Sequence, residues 1–241
     1  METSQYTDEI NFCQACAIRN RAICADLDEA EVALLNKLGR RRHLAVGESL
    51  LWEGDEAVLV ANVVSGVLKL STQTGDGREQ ILGLAYPSDF LGRPFADATP
   101  YSAEALSDAV VCVFRKPDFE RFAQKHVRLE HKLLERTLGE LDRTRRWMLL
   151  LGRMNAEERL ASLLLEIASR SAAETCGNRS TMNLDRIELP MSRQQVADVL
   201  GLTIETVSRQ FTKMREEAII EMHGRRGVTI LRRDILERLA A

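Results

Sequence analysis

The chain has 241 residues, with 33 Lys and Arg against 36 Asp and Glu for a net charge of −3. That length favours two domains over one, and the near balance of charge argues against a uniformly basic nucleic-acid coat, so any basic surface must be local to one face. No basic stretch followed by an apolar core opens the sequence, and no run approaches the ~20 apolar residues of a membrane span, so a cytoplasmic protein without a membrane partner is expected.

In a reducing compartment, five cysteines are a poor disulfide framework and a better source of metal ligands or redox groups. Cys13, Cys16 and Cys24 stand at C-x2-C-x7-C in residues 1–28, a segment too short and polar to need three small buried hydrophobes. The spacing predicts a sensor segment with a metal or cluster site. A four-thiolate site needs one more ligand, and the candidates are Cys112 and Cys176. Cys112 is preferred, because it sits in the apolar run Ala109–Phe114, a final β strand whose end can face an amino-terminal segment folded over it. Cys176 lies in a polar run of the other domain. Zinc and an iron–sulfur cluster both accept four thiolates, and Arg19 and Arg21 would favour the negative charge of either.

Residues 29–116 read as a sensor domain. From Arg41 to Arg115 short apolar runs are broken by Gly: Leu50-Leu51-Trp52, Val58 to Val64, Val67 to Leu70, Gln80 to Leu84. Such regular turn spacing predicts a small antiparallel β-roll or sandwich. Over 117–152 the apolar period becomes helical, with Leu134, Leu138, Leu141, Arg145 and Met148 alternating in steps of four and three, a coiled-coil seam with one charged position. A helix of about 35 residues, about 50 Å, is longer than one small β domain can cover, so it is expected to pair with a second copy.

Residues 153–241 read as a DNA-binding domain. Asn155 and Glu158 form a capping box that starts a helix over Ala156 to Ser169, and the polar run Ser171 to Asn183 is expected to be a loop. Met191 to Arg215 then reads as helix, turn, helix. Ser192 caps the first helix with Gln195 reaching back, and Gly201 supplies the positive φ past its end. Leu202 plugs the corner, and Thr203 caps the second helix. Ile204, Val207 and Phe211 are expected to be buried, leaving Glu205, Ser208, Arg209 and Thr212 on the outer face. That face lies against base edges in a helix-turn-helix. Arg209 can fork onto guanine, Glu205 can accept from the cytosine amine, and Ser208 can meet a base or a thymine methyl. Ile219 to Met222, the turn His223 to Gly227 and Val228 to Leu231 predict a hairpin wing with a basic tip. Phosphates then fall to Lys213, Arg215, Arg225 and Arg226, and to Ser192, Thr203 and Thr206 at the helix starts. Over residues 171–241 there are 11 basic and 10 acidic side chains, net +1, against 22 and 26, net −4, in the remainder.

The cysteine-rich start, the Gly-punctuated roll, the long helix, Asn155-Ala156-Glu157-Glu158-Arg159-Leu160 and Leu202 to Arg209 together resemble the CRP/FNR superfamily, and within it the oxygen-responsive FNR branch. The resemblance covers nearly the whole chain. It implies an α+β protein with a cyclic-nucleotide-binding-like β-roll, a dimerisation helix and a carboxy-terminal winged helix-turn-helix. It further implies a 4Fe-4S cluster on Cys13, Cys16, Cys24 and Cys112 in the absence of oxygen. Cluster loss would weaken the homodimer and release DNA. Glu205, Ser208 and Arg209 match the base-reading residues, for which the implied target is an inverted repeat of the TTGAT-N4-ATCAA kind controlling genes of anaerobic or microaerobic metabolism. The seven-residue gap between Cys16 and Cys24 exceeds the five of the best-studied members and matches a recognised subset. Activation implies contact with RNA polymerase, for which the exposed turn Thr74 to Arg78 is a candidate surface.

Three other readings compete. A CRP-like sensor needs an arginine beside a serine after the Phe-Leu-Gly turn, whereas Phe90-Leu91-Gly92 is followed here by Tyr101-Ser102, and Arg93 comes too early. An enzyme or electron carrier finds no support in His43, His126, His131 and His223, which lack ligand or catalytic spacing, nor in any Gly-rich nucleotide fingerprint. A regulator with structural zinc in place of the cluster would make oxygen irrelevant.

Overall fold

The computed structural model describes residues 13, 15–77, 79–175 and 185–241, with the side chains of 172–175 left aside. After the cysteine segment, helix α1 (Glu29–Leu38) begins at a capping box in which the Asp28 carboxylate accepts from Glu31 N and Glu31 reaches back to Asp28 N. The roll follows: β1 (Gly39–Leu44), β2 (Ser49–Leu51), β3 (Leu59–Ser65), β4 (Leu68–Gln73), β5 (Glu79–Ala85), β6 (Phe90–Leu91), β7 (Ser102–Ala105) and β8 (Ala109–Arg115). They form two four-stranded antiparallel sheets, β1-β8-β3-β6 and β2-β7-β4-β5. Leu44, Leu51, Val63, Leu68, Leu91 and Val111 fill the space between them, as alternating inward residues do in a β-sandwich.

The expected single long helix is divided. Helix α2 (Lys116–Ala123) ends before His126, and α3 (Val127–Arg153) runs for 27 residues, about 40 Å at 1.5 Å per residue. His126 interrupts the ladder: its ring stacks on Phe122 at 3.8 Å between centroids, and its Nδ1 lies 2.6 Å from the Phe122 carbonyl oxygen. A side chain that engages this carbonyl competes with the backbone for it. Buried Phe119, Phe122 and Ala123 turn α2 onto the roll, so only α3 carries the seam.

Helix α4 (Ala156–Thr175) continues beyond the expected stop. Residues 171–175 are polar but rich in Ala and Glu, which helices accept readily. Of the expected loop, residues 176–183 lie outside the described part. Then come β9 (Arg186–Glu188), α5 (Arg193–Leu200), α6 (Ile204–Glu216), β10 (Ile220–His223), β11 (Gly227–Ile230) and α7 (Arg233–Leu239). The wing is a three-stranded sheet, β10-β11-β9, in which β9 was not anticipated.

The DNA-binding domain packs against the roll of its own chain. Ile81, Leu84, Tyr86 and Leu106 share a core with Leu160, Leu164, Ile167 and Val196, and Gln80 Nε2 donates to the Asp198 carbonyl at 3.1 Å. Among the described residues no helix is long and apolar enough to cross a membrane.

Candidate nucleic-acid interface and cysteine cluster

Helix α5 opens as its sequence dictates: Ser192 Oγ accepts from Gln195 N at 3.2 Å and Gln195 Oε1 accepts from Ser192 N at 2.8 Å. Gly201 closes it at φ 61°, ψ 40°, a conformation that costs glycine little. Thr203 Oγ1 then accepts from Thr206 N at 3.2 Å to start α6. The buried stripe is Val207, Phe211 and Met214. Ile204, expected inside, is 37 % exposed, because it stands in the first turn, ahead of the part of α6 that meets the core.

Glu205, Ser208 and Arg209 are exposed together on the outer face. Hydrogen bonds from the backbone and from the Thr203 hydroxyl hold the Glu205 carboxyl below the usual carboxylate range, so it stays an acceptor. At the wing tip Arg225 and Arg226 are exposed, and the Arg226 carbonyl accepts from Leu189 N at 2.9 Å, tying the tip to the segment after β9. Lys213 is placed differently from a free phosphate contact: its ammonium pairs with Glu157 of α4, and with Glu217 at 3.9 Å.

Two cations escaped the sequence reading. Arg186 of β9, paired in register with Thr229, is exposed beside the wing. Arg193, in the first turn of α5, lies over the Phe211 ring at 3.1 Å from its centroid. Burial pushes its guanidinium down to about 10, and its Nη1 is buried without a partner among the described residues. Its place directly after the N-cap was the available signal.

Along α3, Leu134 (56 %), Leu138 (52 %), Leu141 (42 %) and Met148 (69 %) stand exposed in one chain. Arg145 reaches back to Asp142 at 3.2 Å. An apolar row of this kind on a monomer marks a protein-binding face.

The cysteine segment is a run of turns folded onto the first sheet and the start of α3. Ile18, Ala22, Ile23 and Leu27 are buried with Val60, Phe114, Phe119 and Leu129. Arg19 organises it: the guanidinium donates to the carbonyls of Cys24, Ala25 (3.1 Å) and Leu27 (2.7 Å). Cys24 is buried and Cys13, Cys16 and Cys112 are half-buried. Cys112 sits on β8 between Arg41 of β1 and Asn62 of β3. Gly39 leaves room beside it, since a Cβ there would lie 2.7 Å from the Phe114 ring and 3.3 Å from Cys112 Sγ.

Burial pushes the Cys112 thiol up to about 12, with Cys13, Cys16 and Cys24 adding to the rise and Arg41 opposing it. Burial likewise takes Cys13 to about 11, with Cys24 and Cys16 adding and Arg19 and Arg41 opposing. Cys24 is also raised, first by burial. The charges of Cys13, Cys16 and Cys24 thus all reach Cys112. Among the described residues, however, no three His, Cys, Asp or Glu donors are drawn together as a closed metal-ion site. Cys176 lies outside the described residues.

The large cavity of about 970 Å³ between the roll and α3 is lined in part by Gly92, Arg93, Tyr101 and Thr144. Where a nucleotide-sensing roll would offer donors, the Gly92 N–H is taken by the Tyr101 hydroxyl at 3.2 Å. Ser102 Oγ accepts from Glu53 N at 3.0 Å.

Residues 41–126 match the cyclic nucleotide-binding domain and 158–239 the Crp-like helix-turn-helix domain. The chain is 43 % identical to the transcriptional activator protein FnrL of Cereibacter sphaeroides, over 92 % of this chain and 88 % of the relative. It is 42 % identical to the nitrogen fixation regulation protein FixK of Bradyrhizobium diazoefficiens, over 96 % and 94 %. The solved structure of FixK2 from Bradyrhizobium japonicum superposes with a TM-score of 0.75 at 32 % identity, covering 84 % of this chain and 98 % of that one. The fold and the exposed reading helix define a non-catalytic, DNA-binding transcription regulator. The chain belongs to the CRP/FNR family.

Proposed function

We propose that this chain is an oxygen-responsive transcription activator that holds a 4Fe-4S cluster on Cys13, Cys16, Cys24 and Cys112, dimerises through α3 and binds an inverted-repeat DNA site. The observation that carries the reading is the convergence of the amino-terminal cysteine segment with Cys112 of β8 on the surface where α3 begins. Four thiols flanked by Arg19 and Arg41 make a donor set that suits a thiolate-ligated cluster, whose cube spaces its ligands more widely than a single tetrahedral ion does. The cluster, when bound, supplies an oxygen-labile crosslink between the segment and the strand.

The rest is linkage carried by the chain itself. The segment buries Ile18, Ile23 and Leu27 against Leu129 of α3, and Lys132 of α3 pairs with Asp26 at 3.5 Å. Ordering that segment therefore biases α3 toward the arrangement in which Leu134, Leu138, Leu141 and Met148 meet a partner copy. A dimer sets two reading helices about 34 Å apart, one DNA turn. Glu205, Ser208 and Arg209 then read bases, and Ser192, Thr203, Thr206, Arg225 and Arg226 take phosphates. Lys213 joins them once DNA competes with Glu157. The activator function is carried over from the names of FnrL and its relatives, and implies a surface for RNA polymerase. Of the turn expected to supply it, Thr74 to Gly77 is exposed, and Arg78 lies outside the described residues.

The test is iron and acid-labile sulfide on protein purified without oxygen, with absorption spectra before and after air. About four of each per chain, with a brown colour that bleaches, is the expected result. Stoichiometric zinc, or no metal after anaerobic reconstitution, would leave a regulator whose signal lies elsewhere.

A further inference from the structure

A smaller cavity of about 320 Å³ opens where the cysteine segment, the turn before β6, α3 and α4 meet. Its wall carries Arg21, Lys132, Arg136 and Arg170, together with Tyr86 and Ser88, and no carboxylate among the described residues. Lys132 and Arg136 stand one turn apart on the same side of α3. Arg170 comes from α4, and Arg21 from between Cys16 and Cys24.

Nearby carboxylates offset part of this charge from outside the cavity. Asp89 holds Arg170 at 3.6 Å and Arg143 at 3.3 Å. Asp26 and Glu135 hold Lys132 at 3.5 and 2.7 Å. Arg136 has no ion-pair partner among the described residues. Tyr86 is 3 % exposed, and its hydroxyl lacks a hydrogen-bond partner among the described residues. The half-buried Glu166 also acts on Tyr86 and Arg170, so the charge left over in this half-open cleft is carried chiefly by Arg136, which together with the unmet Tyr86 hydroxyl favours an anionic acceptor. The volume falls in the range of small-molecule sites.

We propose that this cavity binds the phosphate groups of a small phosphorylated ligand, a pyrophosphate or the polyphosphate of a nucleotide. Arg136, Lys132, Arg170 and Arg21 would neutralise it. The site is separate from the turn at Gly92 and Ser102. Its cations come from the sensor segment, the dimer helix and the first helix of the DNA-binding domain. A phosphate chain held by all of them would therefore fix α4 relative to α3, giving the regulator a metabolic input besides its cysteines.

The test is calorimetric titration of the full chain with inorganic pyrophosphate, adenosine triphosphate and adenosine at constant ionic strength in chloride. One saturable site per chain for the two phosphates, in mutual competition, is expected. Arg136→Ala should weaken both by roughly tenfold, and Arg136→Lys should retain most of the affinity. Arg115→Ala, which removes a distant exposed charge, should change nothing. Circular dichroism verifies folding, and Arg170→Gln serves as a second lesion. No saturable heat, equal weakening in Arg115→Ala, or adenosine binding as tightly as its triphosphate would overturn the proposal.

Discussion

The Arg159 guanidinium donates to the carbonyl of Leu200 at 2.8 Å across the DNA-binding domain. The same group donates to Leu151 at 2.9 Å and Met154 at 2.8 Å. One cation thus satisfies carbonyls at the C-terminal ends of α3 and α5, where helices leave acceptors unmet and their dipoles favour positive charge. It ties α3 to the helix-turn-helix through α4. Arg159→Ala should destabilise the domain by about 3 kcal/mol, fewer than three independent bonds would suggest because the bonds are not additive. Urea unfolding followed by far-ultraviolet circular dichroism measures this, and Arg159→Lys, without the fork, should recover only part of it.

The cluster assignment separates the cysteines by position. Cys112→Ser, which nearly keeps the size of the side chain, should lower the melting temperature only slightly, yet prevent cluster assembly and anaerobic DNA binding. Cys176→Ser should be silent. Equal iron content in the two variants would refute the choice of Cys112. Gly39→Val should lower the melting temperature as well as disturb Cys112, since its side chain would press on the buried Phe114 ring and on Cys112 Sγ.

Base reading and phosphate contact have different signatures. Arg209→Ala should lose about 1 to 3 kcal/mol and relax preference at the guanine position. Arg226→Ala should weaken all sequences alike and lower the salt slope by about 1. Fluorescence anisotropy on a consensus duplex and single-base variants, at several salt concentrations, distinguishes them. A uniform loss for Arg209→Ala would make it a phosphate contact.

The bare row on α3 predicts the effect of a charge placed in it. Leu138→Glu replaces a side chain that is 52 % exposed in the single chain, so the monomer should stay folded. In a dimer the same carboxylate would face its symmetry mate without a partner, and association should weaken by at least about tenfold. Sedimentation velocity across a concentration series reads this directly, and unchanged sedimentation would remove α3 as the interface.

Local grammar was legible wherever a short-range rule decides the outcome. The capping boxes at Asn155 and Ser192, the left-handed Gly201, the Thr203 cap and the hairpin around Gly224 depend on residues within a few positions of one another, and they stand where the sequence puts them. The exposed face of Glu205, Ser208 and Arg209 follows from helical periodicity alone. Where the outcome rests on packing across the chain, the sequence was silent or misleading. The break at His126 comes from a ring stacked on Phe122, and β9 exists because Ile187 pairs with Val228 some forty residues later. Lys213 turns to Glu157 because α4 lies beside α6. The sequence by itself determined the caps and turns, most of the helices and strands, the outer face of α6 and the set of cysteines. Only the tertiary structure packed Cys112 of β8 and the amino-terminal cysteines against one apolar cluster, and set Arg21, Lys132, Arg136 and Arg170 around one cavity, because both arrangements join side chains that periodicity cannot bring together.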